Sequence, residues 1–250
     1  MMVMIHGGAG VSHDYLRPEW DLLADSMRIV YYDQRGCGRS ERQLPYSWRA
    51  HLDDLGRVVT AARERREKVV LAGSSWGTRL AILYAAEHPE QVSAVVLVGT
   101  PRWPDAESRR WREQLPAPIA WRLDSLEKGV LLREATIHDS LTFASMNLHI
   151  PPALAGRLAT SGLCDDVLLA TTASLGNLPK LREFRLGMPV LVASEVSDGT
   201  NAGSDLVWNE LQASLSQGQR LEIPGGGHDP WFTRSKDFFP ALMRFLKAVP

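Results

Sequence analysis

Short, almost wholly apolar runs recur along this chain, alternating with stretches in which apolar residues return every three or four positions. The runs Met1–Ile5, Arg28–Tyr32, Val69–Ala72, Val95–Val98, Val190–Ala193 and Arg220–Ile223 read as strands. Runs with no polar alternate positions fit strands covered on both faces, as parallel sheets between helix layers require. Trp48–Arg66, Thr78–His88, Ser204–Ser216 and Ser235–Lys247 carry the helical spacing. Strand and helix in turn predict an α/β fold with a mostly parallel, doubly wound sheet.

The alternation stops between Pro101 and Leu186. Pro104, Pro116, Pro118 and the pair Pro151-Pro152 break that stretch into helical segments with no convincing strand, and Trp103, Trp111 and Trp121 fall within it. It reads as a helical cap over one edge of the sheet. The chain then divides into a core, residues 1–100 and 187–250, and a cap or lid, residues 101–186. The competing reading makes these helices part of a single domain.

Composition narrows the possibilities further. A chain of 250 residues makes one or two domains, with a core large enough to need no disulfide or metal. Its 28 Lys+Arg against 29 Asp+Glu leave no basic excess to neutralise phosphates, so a nucleic-acid partner is not expected. Cys37 and Cys164 lie in unrelated segments, which excludes a disulfide framework or a Cys-rich zinc site and points to a reducing cytoplasm. No apolar run reaches the ~20 residues of a membrane span. Met1-Met2-Val3-Met4-Ile5 reads as a core strand rather than the start of a signal peptide. Oligomeric state does not follow from the sequence.

The strongest chemical signal is Gly73-Ser74-Ser75-Trp76-Gly77, set between an apolar run and a helical one. A serine on a sharp strand-to-helix turn needs small residues two positions either side, because the backbone there is strained and crowded. Ser75 is therefore the candidate nucleophile. A serine hydroxyl needs a base and an orienting acid. His228 follows Gly225-Gly226-Gly227 just beyond a strand, where catalytic groups of open α/β sheets gather. Of the other six histidines, His51 and His88 read as helix residues, and His6 and His13 flank the first glycine loop and can shape it. No two histidines have the spacing of a helical zinc site, so metal catalysis is not expected.

The chain order serine, acid, histidine directs the search for the acid to the segment between Ser75 and His228. Asp198, in the loop after Val190–Ala193, is the first choice; Glu195 and Asp105 are alternatives, and a surface aspartate is the bland reading. An oxyanion hole needs two backbone N–H groups. Trp76, after the nucleophile, supplies one; Gly8 in His6-Gly7-Gly8-Ala9-Gly10 supplies the other, with Gly7 the alternative. The same glycine loop, followed by Asp33 at the end of the next strand, imitates a dinucleotide fingerprint, but His13 stands where the third glycine belongs.

Three stretches together carry a resemblance: His6-Gly-Gly-Ala-Gly with His13 and Tyr15-Leu16, then Asp33-Gln34-Arg35-Gly36-Cys37-Gly38-Arg39-Ser40, then Gly73-Ser-Ser75-Trp76-Gly77. They resemble the proline iminopeptidases (prolyl aminopeptidases), a group of α/β-hydrolases. The resemblance implies an α/β-hydrolase fold with a helical cap, and an acyl-enzyme route for cleaving small amides or esters without a cofactor. Removal of an N-terminal residue from peptides is the implied activity. Members usually carry a β-hairpin ahead of the first strand here, so the N-terminal strands are expected to be missing or trimmed and a sheet edge exposed. Ala9 replaces the usual proline, and the acid is displaced by one position to Asp198. The family's Trp-x-x-Trp-Glu cap segment is only partly matched by Trp121-Arg-Leu-Asp-Ser-Leu-Glu127. Glu127 and Glu134 are the candidates to hold a substrate amino terminus, against the alternative of solvated surface charges. An esterase or lactonase, and a non-catalytic binding protein on the same scaffold, are the competing functions.

Overall fold

A computed structural model describes residues 1–63, 67–100, 103, 151–162, 164–194 and 208–249. Strands β1 (Met2–Ile5), β2 (Ile29–Tyr31), β3 (Val69–Ser74), β4 (Val92–Val98), β5 (Leu186–Ser194) and β6 (Leu215–Glu222) form one parallel sheet in the order β2-β1-β3-β4-β5-β6. Chain order runs outward from β1 to β2, then returns past β1 to β3 and continues the other way. The loops leaving β1 and β3 therefore diverge to opposite faces, and a crevice opens between them at the strands' carboxyl ends.

Alternate side chains of each strand feed two separate cores. Val3, Ile5, Val69, Leu71, Val95, Leu97, Val190 and Val192 point to one face, where helices α1 (Trp48–Ala62) and α2 (Trp76–Glu87) lie. Met2, Met4, Val70, Ala72, Ala94, Val96, Leu191 and Ala193 point to the other, covered by the C-terminal helix Ser235–Ala248 and the 3₁₀ turns His13–Leu16 and Glu19–Leu23. Both faces being dry explains why the strands read as unbroken apolar runs.

Helix α1 starts where the Ser47 hydroxyl accepts the Ala50 N–H, and it buries Trp48, Leu52, Leu55 and Val59 as one stripe. It ends at Ala62, where Arg63 turns extended; residues 64–66 of the expected helix lie outside the described residues. Helix α3 (Pro152–Thr160) and helix α4 (Asp165–Ser174) are the described helices within the expected cap. Trp103 donates its indole N–H to the Pro179 carbonyl at 2.6 Å and packs edge-on against Phe184, so it serves the core. Trp111 and Trp121 lie outside the described residues.

One element differs from the reading of the sequence. The helix expected over Ser204–Ser216 yields to strand β6 from Leu215, and the helical residues described are 208–212. Among the described residues strand β6 is a sheet edge bonded to β5 alone, and its exposed Ser216-Gln217-Gly218-Gln219 carries no apolar signal. At the opposite edge, β2 is bonded only to β1.

The second core turns on Trp20, fully buried between Phe238 and Phe239 with ring centroids 5.6 and 5.7 Å away, both edge-on. Truncating it leaves a cavity the size of an indole between the helix Ser235–Ala248 and the sheet. Trp20→Ala is expected to lower unfolding free energy by about 3–5 kcal/mol, read from the urea midpoint at unchanged slope.

Candidate active site

The register of the sheet sets the site. Ile5 pairs with Gly73, which brings the loop after β1 beside the turn after β3. Strand β3 ends at Ser74 and α2 begins at Trp76, so Ser75 alone makes the turn. Its φ of 50° and ψ of −119° make it the one non-glycine residue with positive φ among those described. Strain of this kind costs of order 1–3 kcal/mol and persists only where the surroundings impose it. The surroundings do. A Cβ on Gly73 would lie 2.6 Å from the Gly77 carbonyl, and one on Gly77 would lie 2.2 Å from the Ile5 oxygen. The Ser75 N–H is fixed to the Val98 carbonyl of β4 at 2.8 Å.

Gly7 lies against Ser75: a Cβ there would be 2.9 Å from the Ser75 Cβ. Its N–H is consumed by the Tyr15 hydroxyl at 2.7 Å, and that hydroxyl donates to Ser74 Oγ at 3.3 Å. Of the two glycines considered for the oxyanion hole, Gly8 is thus the one whose N–H is not spent on Tyr15. Gly8 itself sits at φ 44°, a backbone that disfavours any side chain. Trp76 opens α2, where the first N–H groups have no intrahelical acceptor, and Ser75 makes no side-chain cap bond to them.

His228 arrives at the same place from the other end of the chain. Gly225 and Gly227 take φ of 68° and 63°, and the loop is tied back by Thr233, whose hydroxyl donates to the Gly226 and Asp229 carbonyls. A Cβ on Gly99 would lie 3.0 Å from the His228 Cε1 and 3.1 Å from its Nδ1. The ring therefore stands over the end of β4, one residue past the carbonyl that holds Ser75. Ser75 and His228 are both half-buried and make no hydrogen bond to each other among the described residues; such bonds commonly form only with substrate in place. Next to the histidine, Asp229 is buried, accepts the Trp231 indole N–H at 3.0 Å, and has its pKa pushed up by burial, with His228 opposing the shift.

The Asp33-Gln34-Arg35 stretch, leaving β2, anchors this end of the sheet. Asp33 accepts the His13 N–H at 3.0 Å, the His13 Nδ1–H at 2.7 Å and the Arg39 N–H at 2.9 Å. Burial pushes its carboxyl up, but those three donors outweigh it and hold the pKa below the ordinary value. With its oxygens so committed, Asp33 is a structural carboxylate, not a ribose acceptor. Gln34 holds His6 and Trp76, and Arg35 makes a bidentate pair with Asp54 of α1 at 2.6 and 2.9 Å. These roles of Tyr15 and Gln34 are not read from the sequence; the one available signal is that both flank the strands of the topological switch point.

Asp198, Glu195, Asp105, Glu127 and Glu134 lie outside the described residues. The strand preceding Glu195 and Asp198 ends at Ser194, and its Ala193 pairs with Val98 of β4, the strand under His228. Among the described residues no group of three His, Cys, Asp or Glu could hold a metal, and no helix is long and apolar enough to cross a membrane.

A parallel sheet with a strained serine between its third strand and the next helix, and a histidine loop beyond its last strand, defines a nucleophile-elbow architecture. The chain belongs to the alpha/beta hydrolase fold family, whose sequence pattern matches residues 1–235. It is similar to the proline iminopeptidase of Lactobacillus delbrueckii subsp. bulgaricus, at 28% identity over 98% of this chain and 89% of that protein. The match to the proline iminopeptidase of Thermoplasma volcanium is 35% identical but spans only 39% of this chain and about a third, 34%, of that protein's length. Among solved structures, proline iminopeptidase from Mycobacterium smegmatis superposes with a TM-score of 0.73 at 21% identity, over 98% of this chain and 88% of that one. A thermophilic esterase from Thermogutta terrifontis gives 0.75 at 19% identity, over 100% and 90%. At these identities the structural likeness shows the fold.

Two histidines of this region are buried as neutral rings. Burial lowers His6 from 6.5 to about 4, against the opposing bond to Gly7. It likewise lowers His51, which bonds the Thr171 hydroxyl through Nε2 at 3.0 Å, to about 4. The folded pKa lies below the unfolded one, so the unfolded chain takes up protons first and stability falls as pH drops from about 6.5 towards 4. Each such histidine contributes a slope of about 1.4 kcal/mol per pH unit, and Asp229, shifted upward, works in the opposite sense. Replacing His51 with Gln is expected to flatten the unfolding free energy against pH by about that slope between about pH 6 and 5, measured by urea titration at each pH.

Proposed function

We propose that this protein is a serine hydrolase that cleaves small amides through an acyl-enzyme, removing an N-terminal residue, proline foremost, from short peptides. The observation that carries the reading is the strained Ser75 turn, with Gly7 packed on the nucleophile and the His228 ring over the end of the strand that holds the Ser75 N–H. Ser75 Oγ attacks the acyl carbonyl carbon while His228 takes its proton. The carbonyl oxygen becomes an oxyanion facing the N–H groups of Gly8 and Trp76, with the N-terminus of α2 adding its dipole. His228 then returns the proton to the leaving amine, the C–N bond breaks, and water repeats the sequence on the ester. Asp198 orients the imidazole; support for it comes from the end of β5, whose Ala193 pairs with Val98 of β4.

The peptidase reading rests on the similarity to proline iminopeptidases along nearly the whole chain. In it, Glu127 or Glu134 of the cap pairs with the substrate's amino terminus, and the substrate is a small molecule or short peptide. No cofactor enters the reaction, and two free, buried cysteines suit a reducing cytoplasm. A second reading, hydrolysis of a small ester, is favoured by the esterase among the structural neighbours and by the incomplete Trp-x-x-Trp-Glu segment.

Three outcomes are expected. A fluorophosphonate probe labels the wild type and not Ser75→Ala, whose kcat falls by ~10⁴ or more; labelling that survives the substitution contradicts the assignment. Turnover of a prolyl arylamide exceeds that of a short-chain aryl ester, whereas ester turnover alone establishes the second reading. Asp198→Ala loses kcat by about 10⁴, while alanine at Glu195 or Asp105 changes it by less than about tenfold.

A further inference from the structure

An oxyanion hole works only if its two N–H groups are aimed before the substrate arrives, and the three loops around Ser75 contain a device that aims both. The Gly8 N–H belongs to the same planar, trans peptide group as the Gly7 carbonyl, so fixing one direction fixes the other. The Gly7 carbonyl accepts the Nδ1–H of His6 at 2.9 Å. Whether Nδ1 carries that proton is decided on the far side of the ring, where Nε2 accepts the Gln34 backbone N–H at 3.0 Å and so has no proton of its own. The orientation of the Gly8 N–H is thus tied to the tautomer of His6, which the backbone N–H at position 34 sets, while the Gln34 side chain fixes where the His6 backbone sits.

The side chain of Gln34 reaches the other donor. Its Nε2 donates to the His6 carbonyl at 2.8 Å, and its Oε1 accepts the Trp76 indole N–H at 2.8 Å. Gln34, His6 and Trp76 are 1%, 0% and 5% exposed, so no water competes for these bonds and each would be costly to leave unmade. Trp76 is the residue whose own backbone N–H opens α2 behind the nucleophile. One glutamine, leaving β2, therefore clamps the loop after β1 to the helix after β3.

We propose that Gln34 is a positioning residue that aims both halves of the oxyanion hole, locking the Gly7–Gly8 peptide through His6 and the start of α2 through Trp76. The proposal rests on the acyl-enzyme reading above, because it assigns what Gln34 holds in place a catalytic use. Burial keeps His6 neutral down to about pH 4, so its Nε2 stays available to Gln34 throughout the neutral range.

The test compares Gln34→Met, similar in length without the polar side-chain atoms, and Gln34→Glu, which keeps an acceptor for the indole but loses the side-chain donor to the His6 carbonyl; both keep the backbone N–H on His6 Nε2 and so read the side-chain clamp alone. Trp76→Phe removes the indole N–H and leaves the backbone N–H. Each is assayed on the preferred arylamide or ester and titrated with a boronic acid whose tetrahedral adduct mimics the oxyanion. The expected result for Gln34→Met is a fall in kcat of about 10- to 100-fold with KM within about threefold, and a loss of boronate affinity by the same factor as kcat. Trp76→Phe gives a smaller loss of the same kind, and the Gln34→Met, Trp76→Phe double variant loses less than the product of the two. A merely structural role predicts a lower melting temperature with kcat unchanged. The proposal is overturned if the folded Gln34 variants keep kcat within twofold while Ser75 still takes up the probe. If Gln34→Met does not fold, the same kcat and boronate measurements on Gln34→Glu and Trp76→Phe decide the matter by the same criteria. Failure of the parent reading looks different: there, probe labelling does not depend on Ser75 at all.

Discussion

A single residue held in a conformation its side chain disfavours organises this molecule. Ser75 leaves β3 at φ 50°, and the bonds and contacts that keep it there come from four separate places: the Val98 carbonyl of β4, the bare backbone of Gly73 and Gly77, and Gly7 from the first loop. A side chain at position 7, 73 or 77 would collide with this turn or with the strand beside it. The parallel register between β1 and β3 is what lets α2 approach closely enough that only hydrogen fits at position 77. The dry two-layered core is thus the source of the force that holds the serine in place, and the strain is offset by burial far from the site.

Around that turn, the buried histidines are neutral and the charges of Asp33 and Arg35 are met by partners. His6 and His51 are buried as neutral rings, Asp33 is ionised but surrounded by three donors, and Arg35 is matched by Asp54 in bidentate fashion. The consecutive residues Asp33, Gln34 and Arg35 leave one strand and bind three different partners: the turn after the first loop, the floor of the site, and helix α1. A run of polar residues that looks like a solvated loop in the sequence is in fact largely internal structure, and its functional value lies in rigidity.

This division explains what the sequence revealed and what it concealed. The glycine spacing around Ser75 was legible because a sharp strand-to-helix turn needs small residues on both sides, whether the crowding atom is four residues away, as for Gly73, or on β1, as for Gly77, and the strands were legible because both faces of the sheet are dry. His228 was legible from its glycine loop after a strand. Strand β6 was misread over Leu215 and Ser216, because a sheet edge pairs through its backbone and needs no apolar side chains. The Gln34 contacts were invisible for another reason: His6 and Trp76 lie 28 and 42 positions away, and nothing local in the sequence encodes a bond between loops. That the Gly7 N–H is spent on Tyr15 was equally hidden, because the position of the Tyr15 ring is set by the second core.

The central claim is that the strained serine and the two N–H groups of Gly8 and Trp76 form one preorganised unit. A crystal structure of the phosphonylated protein tests it most directly. Phosphorus is expected on Ser75 Oγ, with the phosphoryl oxygen about 2.7–3.1 Å from both the Gly8 and Trp76 nitrogens and the Gly7 N–H still on Tyr15. An adduct on another residue, or a phosphoryl oxygen turned to solvent or to the Gly7 nitrogen, would contradict it.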